Sequence, residues 1–557
     1  MICRVLITTV AVLALGGSSA CSRGVSQNQS VALAAQPQGP PPTRSEILRG
    51  DYGRLRANND LVYYHLDVRV DPDKKFISGK NTIRFRMLSD DNRIQIDLHP
   101  SLDVDRILLD GAPLQYTREE SAVFIDFPRK LRKDSTYAID FQYSGTPLDI
   151  RARGGIGFRR DSTGHPFINT VCEGVGSSTW WPSKDQWHDE VDSMRISVSI
   201  PNGLTDVSNG AFVGKMDLGD GYTRWDWNVH YPINSYDVSM NIGDYVHFTD
   251  TYKDMTLDFY VLRDSLEKAK AQFTQAKGML AAYEHYFGEY PFKKDGYKLV
   301  EATNAGMEHQ SAVTYGNGFK NGYGGRDWTG VGVSPKFDFI IIHESGHEWF
   351  GNAVSASDRS DMWIHEGWTT YLEVLYVEYT FGYDDALKYV NGYKTKVLNR
   401  QPIIPPGGLM RTPPQDMYFK GALMLNTLRN VVNDDTRWFA LLHDLYQHFK
   451  YQNISTDDIV AFFNQRTGRN LTAVFNQYLR HTALPTLELR FDSTAKTVSY
   501  RWQADEPGFA MPIRIGAKGA WQIVEPTTSK WQTMPTRLTP ATFDVATDLY
   551  FVNVVKQ

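Results

Sequence analysis

The apolar residues of this chain change their period twice. From about Tyr63 to Phe248 they alternate, as in Tyr64-His65-Leu66-Asp67-Val68-Arg69-Val70, Asn81 to Met87 and Arg195 to Ile200, with Gly, Pro and Asn-Gly turns between the runs. Alternation puts every second side chain on one face, so strands are expected here. From about Ser265 the period becomes helical. Leu266 to Phe287 reads as one long amphipathic helix ended by Gly288 and Pro291, and helices are expected to dominate to about Thr482. After Leu484-Pro485 short alternating runs return, Leu487 to Phe491 and Val498-Ser499-Tyr500. A chain of 557 residues is too long for one hydrophobic core. The expected fold class is therefore multidomain α+β. An all-β domain spans 51–250, a mainly helical domain 251–484 and a small β-sandwich 485–557, with no internal repeats.

The first fifty residues read differently. Arg4 precedes the apolar run Val5 to Leu15, and Gly16-Gly17-Ser18-Ser19-Ala20 follows. A basic start, an apolar stretch too short to span a bilayer and a small-residue end predict a signal peptide over 1–20. Two processing readings stay open: cleavage after Ala20 into a secreted chain, or lipidation of Cys21 as the first residue of an envelope-anchored lipoprotein, with Ser18 where Leu is usual. Residues 21–50, with Gln-Pro-Gln-Gly-Pro-Pro-Pro, read as a flexible linker. Only three cysteines occur; with Cys3 removed and Cys21 terminal, Cys172 has no partner, so no disulfide framework is expected. The formal net charge of −5 is spread along the sequence without a basic patch, which argues against nucleic acid as a partner. Oligomeric state is not legible.

The chemistry concentrates in His343-Glu344-Ser345-Gly346-His347. Ser334-Pro335 reads as an N-cap and first helical residue, and Phe337 and Phe339 to Ile342 as a largely buried helix. Residues four apart share a helix face, so His343 and His347 can bind one ion while Glu344 projects beside them toward a water. A catalytic zinc needs three protein ligands and one open position. Glu366 supplies the third, with eighteen residues between it and His347.

His343 to Asn352 (HESGHEWFGN), with Glu366 at this spacing, resembles the zinc aminopeptidase family of aminopeptidase N and leukotriene epoxide hydrolase, peptidase family M1, a gluzincin family. Trp363 to Glu373 (WIHEGWTTYLE) is similar to that family's second zinc helix, with His365 in place of a usual Asn. The resemblance extends over about residues 60–557 and implies a thermolysin-like catalytic domain holding one Zn2+ per chain. The long C-terminal helical domain that many members carry is expected to be absent.

The same resemblance assigns further residues. Ala305 to His309 (AGMEH) resembles the family's exopeptidase motif, normally GAMEN, through Gly306-Met307-Glu308, which makes Glu308 an anchor for a substrate's free α-amine. Glu173, ten residues ahead of Ser183, sits where the family places a second amine-binding group. Tyr418, in Tyr418-Phe419-Lys420-Gly421, matches the family's catalytic tyrosine. The implied function is a zinc aminopeptidase acting on peptides with a free N-terminus, with Glu344 as general base. A zinc endopeptidase would not need the two anchoring acids, and a non-catalytic peptide-binding homologue would be expected to lack a ligand or Glu344. A lipid epoxide hydrolase would need basic residues from the helical domain.

Overall fold

The computed structural model describes residues 40–149 and 154–557. The expected signal peptide and Cys21 lie outside the described residues. Where the sequence suggested a linker up to residue 50, Arg44–Gly50 forms a helix: Thr43 and Glu46 make a reciprocal capping box, and Glu46 pairs with Arg411 at 2.9 Å. The pairing and the cap outweigh the Pro-rich composition just before it.

The first half of the chain is β structure. An eight-stranded sheet is built around Asn59–Asp71, which pairs antiparallel with Phe76–Met87 and parallel with Ser193–Pro201. Its alternating side chains Leu66, Val68 and Val70 are wholly buried. Strand Tyr245–Tyr252 belongs to a different, five-stranded sheet with Met255–Leu262, Tyr297–Glu301, Val313–Tyr315 and, at its edge, Gly306–Met307. The domain boundary expected at 250 thus falls inside a strand.

Helices follow. The expected single helix over Leu266–Phe287 is two, α1 (Leu266–Gln272) and α2 (Gln275–Phe287). At the break the Thr274 hydroxyl bonds the Ala271 carbonyl at 2.7 Å, taking an acceptor from the helix ladder. α3 (Phe339–Gly346) is buried at every residue and starts at Asp338, not at Ser334-Pro335, which makes a separate 3-10 turn. Asp338 outcompetes Ser334 because it also accepts from Tyr315, Asn317 and Gln272, fixing the start of the helix to the five-stranded sheet. α4 (Trp363–Phe381) and α5 (Asp416–Val432) cross at two glycines. A Cβ on Gly367 would lie 2.9 Å from the Met417 carbonyl oxygen, and one on Gly421 would lie 3.0 Å from the Gly367 Cα.

Residues after 485 form a four-stranded and a three-stranded sheet around Trp502, Phe509 and Ile515. This part braces α5, since Asn426 and Asn430 both donate to the Leu549 carbonyl and the Tyr550 hydroxyl donates to the Asn430 carbonyl. Among the described residues no helix is long and apolar enough to cross a bilayer.

Candidate functional site

α3 and α4 bring three donors together. The Nε2 atoms of His343 and His347 each lie 3.4 Å from Glu366 Oε2, and the three ligand atoms fall within 4.8 Å of one another. A tetrahedral zinc with bonds of about 2.1 Å has ligand–ligand edges of about 3.4 Å. Glu366 Oε2 is buried without a hydrogen-bond partner. Two imidazoles, one carboxylate and an orphaned oxygen between them fit a zinc ion with a fourth position open.

The residues behind these donors fix their orientation. His343 Nδ1 donates to Glu373 Oε1 at 2.8 Å, while the Tyr389 and Tyr393 hydroxyls both donate to Glu373 Oε2 at 2.6 Å. That bond holds the proton on Nδ1 and leaves Nε2 for the metal. His347 Nδ1 donates to the Phe350 carbonyl at 3.0 Å. The carbonyl is aimed there because the helix breaks at Phe350 and Gly351; Gly351 takes φ 129°, and a Cβ on it would lie 3.0 Å from His347 Nδ1. Glu373 was not singled out in the sequence, although it lies two helical turns beyond Glu366 on the same face. Tyr389, Tyr393 and the Phe350 carbonyl left no sequence signal.

The remaining candidates surround this centre. Glu344 and Glu308 each place a carboxylate oxygen within 4.8 Å of a His347 ring nitrogen and of each other. Gly306 admits the base: a Cβ there would sit 2.7 Å from Glu344 Cγ. Gly306 and Met307 form an edge strand that pairs with Val313–Tyr315, and among the described residues its other edge has no ladder partner. The Glu308 carbonyl accepts from Asn352 Nδ2 at 2.8 Å, while its carboxylate Oε1 is buried and unpartnered. Glu173 Oε1 is likewise unpartnered. Its loop is gripped through carbonyls: Arg359 donates to the Glu173 carbonyl and Arg49 to that of Val175. Arg359, which sequence reasoning missed, lies 4.5 Å over the Trp187 ring, and Trp187 stacks on His365 at 5.0 Å. The Tyr418 hydroxyl donates to Glu366 Oε1 at 2.7 Å, a reach set by the close crossing of α4 and α5.

The electrostatics call for cations. Burial pushes Glu344 up to about 7, reinforced by neighbouring Glu308 and Glu366 and opposed by the His343 and His347 imidazoles. Burial also raises Glu308, against the pull of His347, and raises Glu173 well above the carboxylate range, with Glu308 and Glu366 reinforcing it. Glu366 is the exception: burial pushes it up, but His347 and His343 outweigh this and hold it well below the usual range. His365 and His309 are buried and neutral, each lowered to about 3 by desolvation. Cys172 is a buried free thiol that burial pushes up to about 12, so it is no nucleophile. Four acids thus share a largely buried centre with two ligand imidazoles, an arrangement that favours the binding of positive charge.

Residues 61–236 match the Peptidase M1 N-terminal domain, and residues 271–478 match the Peptidase family M1 domain. Endoplasmic reticulum aminopeptidase 1 of Mus musculus is 24% identical over 271 residues, covering 45% of this chain and 28% of its own length. Probable aminopeptidase 1 of Sulfurisphaera tokodaii is 20% identical over 426 residues, 73% of this chain and 52% of its own. The chain spans about half or less of the length of these curated relatives. An M1 zinc metallopeptidase from Deinococcus radiodurans, solved with a Tyr-Ser-Ala substrate, has a TM-score of 0.63 at 20% identity. That match covers 79% of this chain and 98% of the other, so the two share a fold. With both characteristic domains matched in order and a zinc-fitting donor set at the junction of α3 and α4, the chain belongs to peptidase family M1.

Proposed function

We propose that the protein is a zinc aminopeptidase that removes single residues from the N-terminus of peptides. The observation that carries this reading is the unpartnered Glu308 carboxylate within 4.8 Å of the Glu344 and His347 donor atoms, with Glu173 as a second unpartnered acid beside it. Aminopeptidase is also the name of the curated relatives. Bound at His343, His347 and Glu366, zinc supplies a Lewis acid that polarises a carbonyl and brings the pKa of a water to about 7.

The rest is the work of this chain's own side chains. Glu344, with its carboxylate within 4.8 Å of a His347 ring nitrogen, is placed to accept a proton from the attacking water and return it to the leaving amine. Burial raises the Tyr418 phenol well above its ordinary value, so it stays protonated and donates to the oxyanion, a contribution on the order of a hundredfold. Glu308 and Glu173 take the substrate's ammonium, whose charge satisfies their unpaired oxygens. The open edge of Gly306–Met307 pairs with the peptide backbone. Because the amine anchor stands at a fixed distance from the metal donors, only the first peptide bond reaches them.

Mass spectrometry of a time course on an unblocked decapeptide tests this. Stepwise loss of single N-terminal residues is the expected result. Internal fragments appearing first would replace the proposal with an endopeptidase.

A further inference from the structure

Beyond the metal donors, His343, Glu344 and Tyr418 open onto a cleft of about 370 Å³ that neither Glu308, Glu173 nor His347 borders. With the ammonium at Glu308 and Glu173 and the scissile carbonyl at the metal, the chain beyond the scissile bond leaves into this cleft. The inference rests on that reading of the amine anchors.

The cleft walls are aromatic. The Tyr323 and Trp328 rings are 4.9 Å apart, Trp328 and Phe339 5.8 Å, and Trp328 and Phe419 6.1 Å. Phe339 in turn stacks on His343 at 5.3 Å. Such walls suit an apolar side chain. Thr370 lines the cleft too, and its hydroxyl is buried and unpartnered.

One cation, Lys396, packs against two of the rings that line the cleft. Lys396 Nζ lies 3.8 Å from the Trp328 ring centroid and 5.8 Å from that of Phe419. Among the described residues it has no carboxylate in ion-pair contact. Asp327, whose charge reaches it, uses its oxygens on the Gly330 and Gly332 N–H groups and the Ser334 hydroxyl. Neighbouring lysines are engaged elsewhere, Lys336 with Asp385 and Lys394 with the Thr547 carbonyl. Lys396 is therefore a partly dehydrated ammonium held by two rings, with Asp327 acting on it only through space. Ring contacts link Lys396 through Trp328 and Phe339 to His343.

We propose that Lys396 receives a carboxylate on the leaving part of the substrate while the aromatic cleft takes an apolar side chain. This makes short peptides ending in a free carboxylate, or carrying an acidic residue there, the preferred substrate class.

The test uses the full-length, zinc-loaded protein and peptides sharing one N-terminus. Leu-Phe-Ala as the free acid is compared with its carboxamide, and Leu-Phe-Glu amide with Leu-Phe-Gln amide, for wild type, Lys396→Met and Lys396→Arg. In wild type one acid-bearing member should exceed its neutral partner about five- to tenfold in kcat/KM, mainly through KM, the effect of one charge-assisted hydrogen bond. Lys396→Met, which keeps the apolar stem over Trp328, should bring that ratio near one, and Lys396→Arg should restore it. A preference in the first pair assigns the terminal carboxylate, and one in the second assigns the side chain. Equal rates within both pairs in wild type would overturn the proposal, as would a preference that survives Lys396→Met. Absence of cleavage for every free-amine peptide would strike the aminopeptidase reading instead.

Discussion

Replacing Glu373 by glutamine isolates how much of the metal affinity comes from the group behind His343. Glu373 is 1% exposed and accepts three hydrogen bonds, one from His343 Nδ1 and two from the Tyr389 and Tyr393 hydroxyls. A glutamine keeps the shape but has one acceptor oxygen. If that oxygen stays with the tyrosines, the amide N–H2 faces the imidazole Nδ1–H, donor against donor. The ring can answer only by moving its proton to Nε2, the atom the metal needs. Losing one buried charge-assisted bond costs about 1.5–3 kcal/mol, so zinc affinity should fall about ten- to a hundredfold. Tyr393→Phe removes a donor while leaving the carboxylate on His343, and should weaken zinc far less. Competition titration of the apo-proteins against a chromophoric zinc chelator at constant pH measures both. A Glu373→Gln zinc dissociation constant within twofold of wild type would refute the argument that this bond sets the tautomer.

Other outcomes follow from the same coordinates. Gly306→Ala should retain zinc but lose about a hundredfold in kcat, because the new Cβ, 2.7 Å from Glu344 Cγ, forces the base aside; normal kcat would contradict this. Glu190 accepts from Asn453 at 2.8 Å and Asn234 at 3.5 Å, and burial pushes it up to about 7. A raised carboxyl pKa means the folded state binds the extra proton, so this group's contribution to stability falls as pH rises from about 4.5 to 7. Glu190→Gln should therefore gain on wild type by about 1–3 kcal/mol between pH 5 and pH 8 in denaturant unfolding, and a pH-independent difference would refute it. For location, the charged–apolar–small start and Cys21 predict export, and detergent partitioning with intact-mass measurement of native protein decides between a lipidated and a simply cleaved chain.

The metal centre was legible because helical spacing alone puts His343 and His347 on one face, and because ligand chemistry asks for a third donor, which Glu366 supplies. The succession of strands, helices and strands was legible for the same reason: side-chain period follows directly from backbone geometry. What stayed hidden depends on contacts distant in sequence. Asp338 caps α3 because Tyr315, Asn317 and Gln272 converge on it, and none of these is near it in the chain. The break after Gln272 turns on one side-chain hydrogen bond inside an otherwise amphipathic run. Arg359 grips the Glu173 carbonyl across 186 positions, so neither residue announces the other. Gly351 and Gly306 looked like ordinary motif glycines until the neighbours at His347 and Glu344 gave each a steric reason.

The central claim is that a fixed carboxylate reads the substrate's free amine. It is tested most directly by kcat/KM on paired free and N-acetylated peptides, for wild type and Glu308→Ala. A buried ammonium that loses its carboxylate costs about 3–5 kcal/mol, two to three orders of magnitude or more in kcat/KM. Wild type should cleave the free peptide and leave the acetylated one essentially untouched. Glu308→Ala, with zinc content unchanged, should fall toward the acetylated rate and lose the discrimination. Efficient wild-type cleavage of the acetylated peptide, or full discrimination in Glu308→Ala, would contradict the account.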